Sequence, residues 1–266
     1  MHKGDFSQVA ILEGDPGTRG ASRLCAYTAF RAGAGTVTLL VDDYLQYAPG
    51  DQPEFMQEKA SKTKLERASV LVLGPGVTTR SRVRKAYKLL KKALSKDIPI
   101  VLDAGAIPLI KRLSPRLSSE SVIIATPHPG EAARFLGIST ADVQADRPET
   151  ISQLLSISSK LQIKVIWVLK GANSIVADSD SQLICEGDVP TLAVGGSGDV
   201  LSGAIAGAWW PGTGGLSWVQ RVVQAHLDAG RQLSTVCERG HFAREIADEL
   251  AMALSQTPQP DSPPNA

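Results

Sequence analysis

The sequence predicts an α/β fold, a three-layer α/β/α sandwich around a mostly parallel, doubly wound sheet. Short β-branched runs that are apolar throughout alternate with helix-length segments, as expected for strands that helices cover on both faces. The second observation is the position of the glycines. The 266-residue chain has 24 of them, and they concentrate just after the predicted strands. The order strand, helix, strand implies right-handed crossover connections between parallel strands.

The apolar runs and their spacing predict the individual elements. Strands are predicted over residues 37–41, 70–73, 98–102, 122–125 and 165–169. Helices are predicted over residues 21–31, 81–95 and 148–161, and three more over residues 200–209, 218–237 and 242–254. Residues 175–177 and 183–185 flank the turn sequence Asp-Ser-Asp-Ser, so an antiparallel hairpin is predicted at one edge of the sheet.

One domain is expected over residues 1–254, because the chain shows neither an internal repeat nor an interdomain linker. Residues 255–266 carry four prolines and have no apolar period. These residues are therefore expected to form a disordered tail.

The composition indicates small-molecule ligands rather than polyanions. The 28 Lys and Arg residues balance 27 Asp and Glu residues, and a formal net charge of +1 argues against nucleic-acid binding. The three cysteines form no C-x-x-C pair, which argues against a disulfide framework or a zinc site. No apolar run approaches the ~20 residues that cross a bilayer, and no signal-peptide core is visible. A cytoplasmic protein without membrane or nucleic-acid partners is expected.

The glycine-rich stretch 195–203 is the strongest indication of an active site. A glycine turn that leads directly into an apolar helix presents unpaired backbone N–H groups and the positive end of the helix dipole to a phosphate. Gly196, Ser197 and Gly198 are the predicted anion hole. Asp199 would lie in the first helical turn, either as a cap or as the base that deprotonates a hydroxyl attacking phosphorus.

Charged side chains follow three of the predicted strands and are expected at the same edge of the sheet. His128 lies on a turn between two prolines, and Glu131 either favours a helix N-terminus or holds Mg²⁺, directly or through water. Lys170 either contacts a nucleotide phosphate or is solvated beside the hairpin. Asp103 either orients a ligand or a metal-bound water, or caps the next helix.

With these motifs in order, the chain resembles the ADP/ATP-dependent NAD(P)H-hydrate dehydratases of the ribokinase-like superfamily, over roughly residues 2–254. Each motif alone is weakly specific, whereas seven in the order of the family are specific. They are His2-Lys3-Gly4-Asp5, Gly20-Ala21 with residues 31–35, Leu73-Gly74-Pro75-Gly76, Leu102-Asp103-Ala104, residues 126–131, Lys170-Gly171-Ala172 and residues 195–199.

The resemblance implies a repair reaction with ADP or ATP as co-substrate and Mg²⁺ as cofactor. The nucleotide phosphorylates the C6 hydroxyl of the S epimer of hydrated NADH or NADPH (NADHX or NADPHX), and phosphate is then expelled. It implies that Asp199 is the base and that the hydrated dinucleotide contacts Ala21, Gly76, His128 and Asp199. It implies nucleotide contacts from Lys170, Gly171, Ala172, Asn173, Ser174 and Gly198. Glu131 and Asp103 would organise the metal, and a homo-oligomer, commonly a tetramer, is implied.

Three departures from the family pattern fall on the side of the hydrated dinucleotide. Glu13-Gly14-Asp15 stands where the family has Gly-Gly-Ser, and a carboxylate there opposes a phosphate-bearing ligand unless a cation accompanies it. Thr78 replaces a glycine, and Gly105 replaces a second aspartate. The phosphoryl-transfer motifs are intact, so the departures bear on substrate identity more than on nucleotide binding.

Two other functions remain open from the sequence. A kinase of the same superfamily, acting on a vitamin precursor or a sugar alcohol, would share Asp199 and the glycine turn but would lack the sequences at 74–76 and 126–131. The other is a nucleotide-binding protein that has lost turnover through the first-loop changes.

Overall fold

The computed structural model describes residues 6–44, 54–114, 121–209 and 215–257. These residues form a nine-stranded sheet with helices on both faces, which confirms the predicted three-layer sandwich. The strands are β1 (Gln8–Leu12), β2 (Thr36–Val41), β3 (Met56–Lys59), β4 (Val70–Leu73), β5 (Ile100–Leu102), β6 (Val122–Ala125), β7 (Lys164–Leu169), β8 (Ser174–Ala177) and β9 (Gln182–Cys185). They lie side by side in the order β3-β2-β1-β4-β5-β6-β7-β8-β9.

Helices connect most of the strands and then complete the fold after the sheet. They are α1 (Arg19–Arg31), α2 (Arg80–Leu94), α3 (Pro129–Leu136), α4 (Thr140–Ala145), α5 (Arg147–Leu161), α6 (Ser197–Gly207), α7 (Leu216–Ser234) and α8 (Ala243–Gln256). Two 3-10 segments, Ala104–Arg112 and Pro190–Leu192, follow β5 and precede α6. None of the helices in the described ranges combines the length and apolar composition that spanning a bilayer requires.

Each face of the sheet packs against its own set of helices. Ile11 of β1 packs into the core formed with α1, α6, α7 and α8, whereas its neighbour Leu12 packs into the core formed with α2, α3 and α5. Both side chains are fully buried. Successive strand side chains point to opposite faces, so two cores explain why the strands are apolar throughout.

Strand direction determines where a ligand can bind. Strands β1 to β7 pair in parallel, and β8 and β9 pair antiparallel at the edge, as the hairpin prediction required. The carboxyl ends of β1, β4, β5, β6 and β7 therefore lie at one edge of the sheet, where open α/β sheets bind their ligands.

The structure adds elements that the sequence patterns did not reveal. Strand β3 has no apolar run, and it joins the sheet through backbone pairing with β2, an interaction that leaves no side-chain pattern. Strand β1 was missed although four of its five residues are buried. Helices α3 and α4 are short, and the 3-10 segment after β5 contains Pro108 in its interior.

Most element boundaries differ from the predictions by one to three residues, and two of these differences affect the interpretation. Helix α6 begins at Ser197 rather than at residue 200, which places Asp199 in its first turn. Helix α8 continues to Gln256, so the expected tail does not start at residue 255. The rest of that tail from residue 258, and the motif His2-Lys3-Gly4-Asp5, lie outside the described residues.

Candidate active site

The glycine turn before α6 has the backbone conformation of an anion site. Gly196 is the N-cap residue of α6 and has φ +98°, a left-handed conformation that favours glycine. The N–H of Ser197 donates to the carbonyl of Val194 (3.2 Å), so this one of the predicted anion-hole amides already has a partner. The amides of Gly198 and Asp199 are at the second and third helical positions, where an α-helix supplies no acceptor of its own.

Asp199 does not serve as the helix cap. The N-cap position belongs to Gly196, and no side-chain cap hydrogen bond is present at this end of α6. Burial raises the pKa of Asp199 to about 7, the carboxylates of Asp103 and Glu131 act in the same direction, and Lys170 opposes them. A carboxylate with a pKa near neutrality suits a general base, so the structure favours the base over the cap.

Asp103 is buried at the end of β5, and its carboxylate accepts hydrogen bonds from three protein donors. Its Oδ1 accepts hydrogen bonds from Lys170 Nζ (2.9 Å) and Thr126 Oγ1 (2.9 Å), and its Oδ2 accepts one from Ser202 Oγ (3.0 Å). No side-chain cap hydrogen bond joins Asp103 to the 3-10 segment that follows it. Of the roles left open for Asp103, side-chain capping is therefore not observed, and the carboxylate instead links β5 to β6, β7 and α6.

Lys170 lies inside the site rather than beside the hairpin. Its side chain is 18% exposed, and its ammonium lies 3.9 Å from Glu131 Oε2 as well as 2.9 Å from Asp103 Oδ1. Burial alone would lower the pKa of Lys170, but the Asp103 and Glu131 carboxylates outweigh burial and raise it. The ammonium is therefore a fixed positive charge at the carboxyl edge of the sheet.

His128 and Glu131 form the N-terminal cap of α3. His128 Nδ1 accepts a hydrogen bond from the N–H of Gly130 (3.0 Å), and Glu131 Oε2 accepts one from the N–H of His128 (2.8 Å). The other imidazole nitrogen lies 3.5 Å from Glu131 Oε1, and half of the His128 side chain is exposed. The structural role predicted for Glu131 is thus present, and His128 faces the open site.

The charged groups fit a magnesium ion only in part. Both oxygens of Asp103 already accept hydrogen bonds from protein groups, so the arrangement does not support the metal-binding role predicted for Asp103. Glu131 keeps an oxygen that no backbone group occupies. No cluster of three or more His, Cys, Asp or Glu side chains suited to a metal occurs among the described residues. An ion here would take most ligands from water and phosphate oxygens, as magnesium does.

The segment 170–174 turns sharply after β7 and is held by backbone-directed contacts. Gly171 has φ +126°, and Ser174 Oγ donates to its carbonyl oxygen (3.0 Å). Asn173 Oδ1 accepts from the N–H of Gly187 (2.9 Å). Arg147, which the sequence analysis did not identify, donates to the carbonyl of Leu169 (2.9 Å). No sequence signal marks Arg147, because the carbonyl groups it holds in this segment lie 22 and 23 residues away.

A cavity of about 380 Å³ adjoins this segment and the glycine turn. Its lining includes His128, Lys170, Gly171, Ala172, Ser174, Ser197, Gly198 and His226, with apolar side chains from residues 189–194 and from α7. A larger hollow of about 840 Å³ lies between β1, β2 and residues 56–68. That hollow contains none of the groups described above, so the smaller cavity is the better candidate for the nucleotide.

His226 is a site residue that the sequence analysis missed. It lies on α7 and is buried, with Nε2 at 3.3 Å from Ser197 Oγ. Burial and the positive charge of Lys170 lower the pKa of His226 to about 4, so the imidazole is neutral. Its position within a long amphipathic helix gives the appearance of an ordinary core residue, and only the fold brings it to the glycine turn.

The predicted dinucleotide residues Ala21, in the first turn of α1, and Gly76, after β4, are linked through Thr18. The N–H of Ala21 donates to the carbonyl of Thr18 (3.2 Å), and Thr18 Oγ1 donates to the carbonyl of Gly76 (2.6 Å). Gly76 has φ +70°, and a Cβ there would lie 2.3 Å from the carbonyl oxygen of Thr18. The close approach of the two loops therefore requires glycine at 76, whatever ligand binds.

In the first loop, residues 13–15, protein donors neutralise the unusual carboxylate of Asp15. Asp15 accepts hydrogen bonds from the backbone N–H groups of Thr78 and Thr79 (both 2.8 Å) and from both hydroxyls, and Arg82 lies 3.6 Å away. Burial opposes ionisation, but these hydrogen bonds lower the pKa of Asp15. The departures at Asp15 and Thr78 are thus partners in one contact, and the carboxylate is directed at α2 rather than at a ligand.

The other two departures also have structural explanations. Glu13 is fully buried, and its Oε2 lies 3.3 Å from Arg19 Nε, so a guanidinium accompanies this carboxylate. Burial raises the pKa of Glu13, and Arg19 partly offsets the effect. A Cβ on Gly105 would lie 2.0 Å from the carbonyl oxygen of Val77, so aspartate would not fit at this position.

The fold and the site together define a ribokinase-like protein, with a glycine turn and an acid at the carboxyl edge of a mostly parallel sheet. Solved ribokinases share this fold at 13% sequence identity, which shows the fold alone. A family model described as NAD(P)H-hydrate dehydratase matches residues 9–247. The chain therefore belongs to the NAD(P)H-hydrate dehydratase family.

Individual relatives agree with this assignment. The bifunctional NAD(P)H-hydrate repair enzyme Nnr of Coxiella burnetii is 36% identical over 96% of this chain, which spans about half (51%) of that protein. An ADP-dependent (S)-NAD(P)H-hydrate dehydratase of Xanthomonas campestris is 32% identical over 95% of this chain and 89% of its own length. The ADP/ATP-dependent NAD(P)H-hydrate dehydratase of Bacillus subtilis, co-crystallised with ATP/Mg²⁺, has TM-score 0.77 at 26% identity, covering 97% of this chain and 92% of that chain.

Proposed function

We propose that this chain dehydrates (6S)-NADHX and (6S)-NADPHX to NADH and NADPH, with ADP or ATP as the phosphoryl donor. The observation that carries the proposal is the environment of Asp199. Its carboxylate lies beside the glycine turn, is not used as a cap, and has a pKa of about 7. In a family described by this reaction, such a group suits the C6 hydroxyl, which must lose a proton as it attacks phosphorus.

The chemistry proceeds in two steps at one anion site. Asp199 takes the proton of the C6 hydroxyl, the oxygen forms a bond to the transferring phosphorus, and the nucleotide leaves with the electrons of the broken bond. The Gly198 and Asp199 amides stabilise the charge on the phosphoryl oxygens. Phosphorylation turns hydroxide, a poor leaving group, into phosphate, and the same amides assist when phosphate is expelled. In that second step the C6–O bond breaks with its electrons leaving on phosphate, and release of the C5 proton to solvent forms the C5=C6 double bond.

The remaining predicted residues divide between the two substrates. We propose that segment 170–174 and the cavity beside His226 bind the nucleotide. We propose that Ala21, Gly76 and His128, which is half exposed and lines the same cavity, contact the hydrated dinucleotide. Magnesium supplies neutralising charge between the nucleotide phosphates when it is bound. Glu131 would hold it through water, in agreement with the carboxylate oxygen that no backbone group occupies.

Location and assembly form a second part of the proposal. The three cysteines are free thiols, as expected in the reducing cytoplasm where we propose that the protein works. We propose a homo-oligomer, with a tetramer as the expected form by resemblance to the family. Light scattering coupled to size-exclusion chromatography would measure the assembly, and a monomer at micromolar concentration would contradict it.

The deciding experiment uses chemically hydrated NADH with Mg²⁺ and either ADP or ATP. Return of dihydronicotinamide absorbance that requires nucleotide is the expected result. No recovery with both nucleotides, together with phosphorylation of another alcohol, would establish the small-alcohol kinase instead. Nucleotide binding without either reaction would identify a protein that has lost turnover. The family match favours the dehydratase over both alternatives.

A further inference from the structure

A buried carboxylate joins three separate elements beneath the proposed anion site. Asp103 at the end of β5 accepts hydrogen bonds from Lys170 at the end of β7, from Thr126 after β6, and from Ser202 in α6. The Asp103 side chain is 4% exposed, so protein groups rather than water hold its charge. Lys170 is 67 residues away in sequence, and Ser202 is 99 residues away.

The same contacts hold the Lys170 ammonium against the glycine turn. A Cβ added to Gly198 would lie 3.1 Å from Lys170 Nζ and 3.8 Å from Asp103 Oδ2. Glycine at 198 thus leaves room for the ammonium next to the backbone amides that face a phosphate. An ammonium has three donors, and Asp103 accepts one of them.

Lys170 is also open to the site, which distinguishes it from a hidden structural ion pair. Its side chain lines the cavity of about 380 Å³ and is 18% exposed. Burying an ion pair costs desolvation energy that apolar residues of similar size would avoid. A charge kept at this position therefore points to a ligand with negative charge.

We infer that Lys170 is a catalytic residue of the anion hole and that Asp103 is the positioning residue that holds its ammonium there. The inference rests on the proposed function, because the charge acts on the phosphoryl group passing from ADP or ATP to the C6 oxygen. As the donor bond to phosphorus breaks and the new bond forms, Lys170 stabilises the negative charge on the equatorial oxygens. Lys170 then does more than bind nucleotide, and Asp103 acts without a metal.

The test compares Lys170→Met and Asp103→Asn with wild type in steady-state kinetics. Both variants should lower kcat about 10²–10³-fold, as loss of one anion-hole donor does. The Kd for ADP, measured by calorimetry, should change less than about fivefold, because the stabilisation belongs mainly to the transition state. Lys170→Arg should recover part of the lost kcat by restoring the charge. Lys164→Met, at the exposed start of the same strand, is the matched control and should retain wild-type kcat.

A second measurement separates this inference from the proposed function. Aluminium fluoride with ADP and Mg²⁺ mimics the transferring phosphoryl group and needs no knowledge of the acceptor. Wild type and Lys164→Met should bind ADP more tightly when aluminium fluoride is present. In Lys170→Met and Asp103→Asn this increase in affinity should be smaller than in wild type by about tenfold or more.

The outcomes distinguish the proposed dehydratase function from the inferred roles of Lys170 and Asp103. If wild type fails to dehydrate NADHX but the fluoride pattern holds, the proposed function falls and the inference stands. If Lys170→Met matches wild type in the fluoride measurement, or loses affinity for ADP as much as it loses kcat, the inference is overturned. If Asp103→Asn does not fold, the thermal melt will show it, and Lys170→Met alone decides the role of the ammonium.

Discussion

Three carboxylates meet at the active site, and their partners give them different tasks. Asp103 is paired with an ammonium and two hydroxyls, and Glu131 accepts a backbone N–H at the start of α3. Asp199 is half-buried next to both of them, and no hydrogen bond to its carboxylate occurs in the described part of the chain. Its surroundings oppose its negative charge, which supports the proposal that Asp199 exchanges a proton with the substrate.

Asp199→Asn should lower kcat about 10²–10⁴-fold, because an amide cannot accept the hydroxyl proton. The affinity for ADP should stay near that of wild type, since the amides of the glycine turn remain. Turnover of hydrated NADH and calorimetric titration with ADP would measure the two effects. Asp180→Asn in the exposed β8–β9 turn is the control and should behave as wild type. Activity that persists in Asp199→Asn would show that another group is the base.

The activity should depend on pH in the direction set by Asp199. Its pKa is raised to about 7, so the carboxylate is increasingly protonated, and inactive as a base, as the pH falls through that value. The kcat should therefore fall roughly tenfold per pH unit below about 7 and level off above it. A pH series at saturating substrate would measure this limb. A flat profile between pH 5 and 8 would contradict the assignment of the base.

Asp15→Asn should destabilise the fold by about 1–3 kcal/mol, because the carboxylate accepts hydrogen bonds that anchor the start of α2. The folded-state pKa of Asp15 lies below its ordinary value of 3.8, so its stabilisation is present above that pH and is lost as the pH falls. Denaturant unfolding at pH 7 and below pH 4 would measure the difference. The difference in unfolding free energy between wild type and Asp15→Asn should be smaller at the lower pH. An equal difference at both pH values would disprove the charge effect.

At the scale of elements, α6 can carry the glycine turn only because it packs closely against α1. Gly203 and Gly207 of α6 face the backbone of α1, where added Cβ atoms would lie 2.2 Å from the carbonyl oxygen of Cys25 and 2.1 Å from that of Ala29. Small residues at both positions bring the two backbones together. The position of Asp199 at the sheet edge therefore depends on glycines that make no contact with a ligand.

Gly203→Ala should lower the free energy of unfolding by about 1–3 kcal/mol, because the methyl group would overlap the backbone of α1. Gly20→Ala in α1 is the matched control, since an added Cβ there meets nothing within 4 Å. The control should be neutral or more stable by up to about 1 kcal/mol through helix propensity. Urea unfolding of both variants would measure the contrast, and equal effects would refute close packing as the cause.

At the scale of the whole molecule, charge balance and phosphate binding are compatible. A net charge of +1 is compatible with the two phosphate-bearing ligands that we propose, because helix N-terminal amides and the partly buried Lys170 can supply the positive field. Surplus surface charge is not required for this kind of recognition. The same balance keeps nucleic acid from being favoured as a partner.

ADP with Mg²⁺ at about 100 times its Kd should stabilise the folded protein by about 2.7 kcal/mol. For a domain of this size the midpoint of thermal unfolding should rise roughly 5–10 °C. Differential scanning fluorimetry would measure the shift, with adenosine as the ligand that lacks phosphates. A shift of the same size with adenosine would show that the glycine turn does not contribute to binding.

The sequence predicted the fold class and the position of the glycine turn, because both depend on local patterns. Apolar runs predicted residues 70–73 and 122–125 as strands with the observed bounds. Strand β3 was not predicted, because an edge strand pairs through its backbone and needs no apolar run. The observed start of a helix differs from the predicted start by a few residues where capping, rather than the apolar period, decides it, as at Ser197.

The sequence by itself determined which chemical groups follow each strand, and thereby an anion site with an acid beside it. Only the tertiary structure decided how those groups pair: Asp103 with Lys170, Asp15 with Thr78, and His226 with Ser197. These partners are 67, 63 and 29 residues apart, so no local pattern encodes them. Their pairing follows from strand order, because parallel strands bring distant segments to one edge, where burial makes every unpaired charge costly.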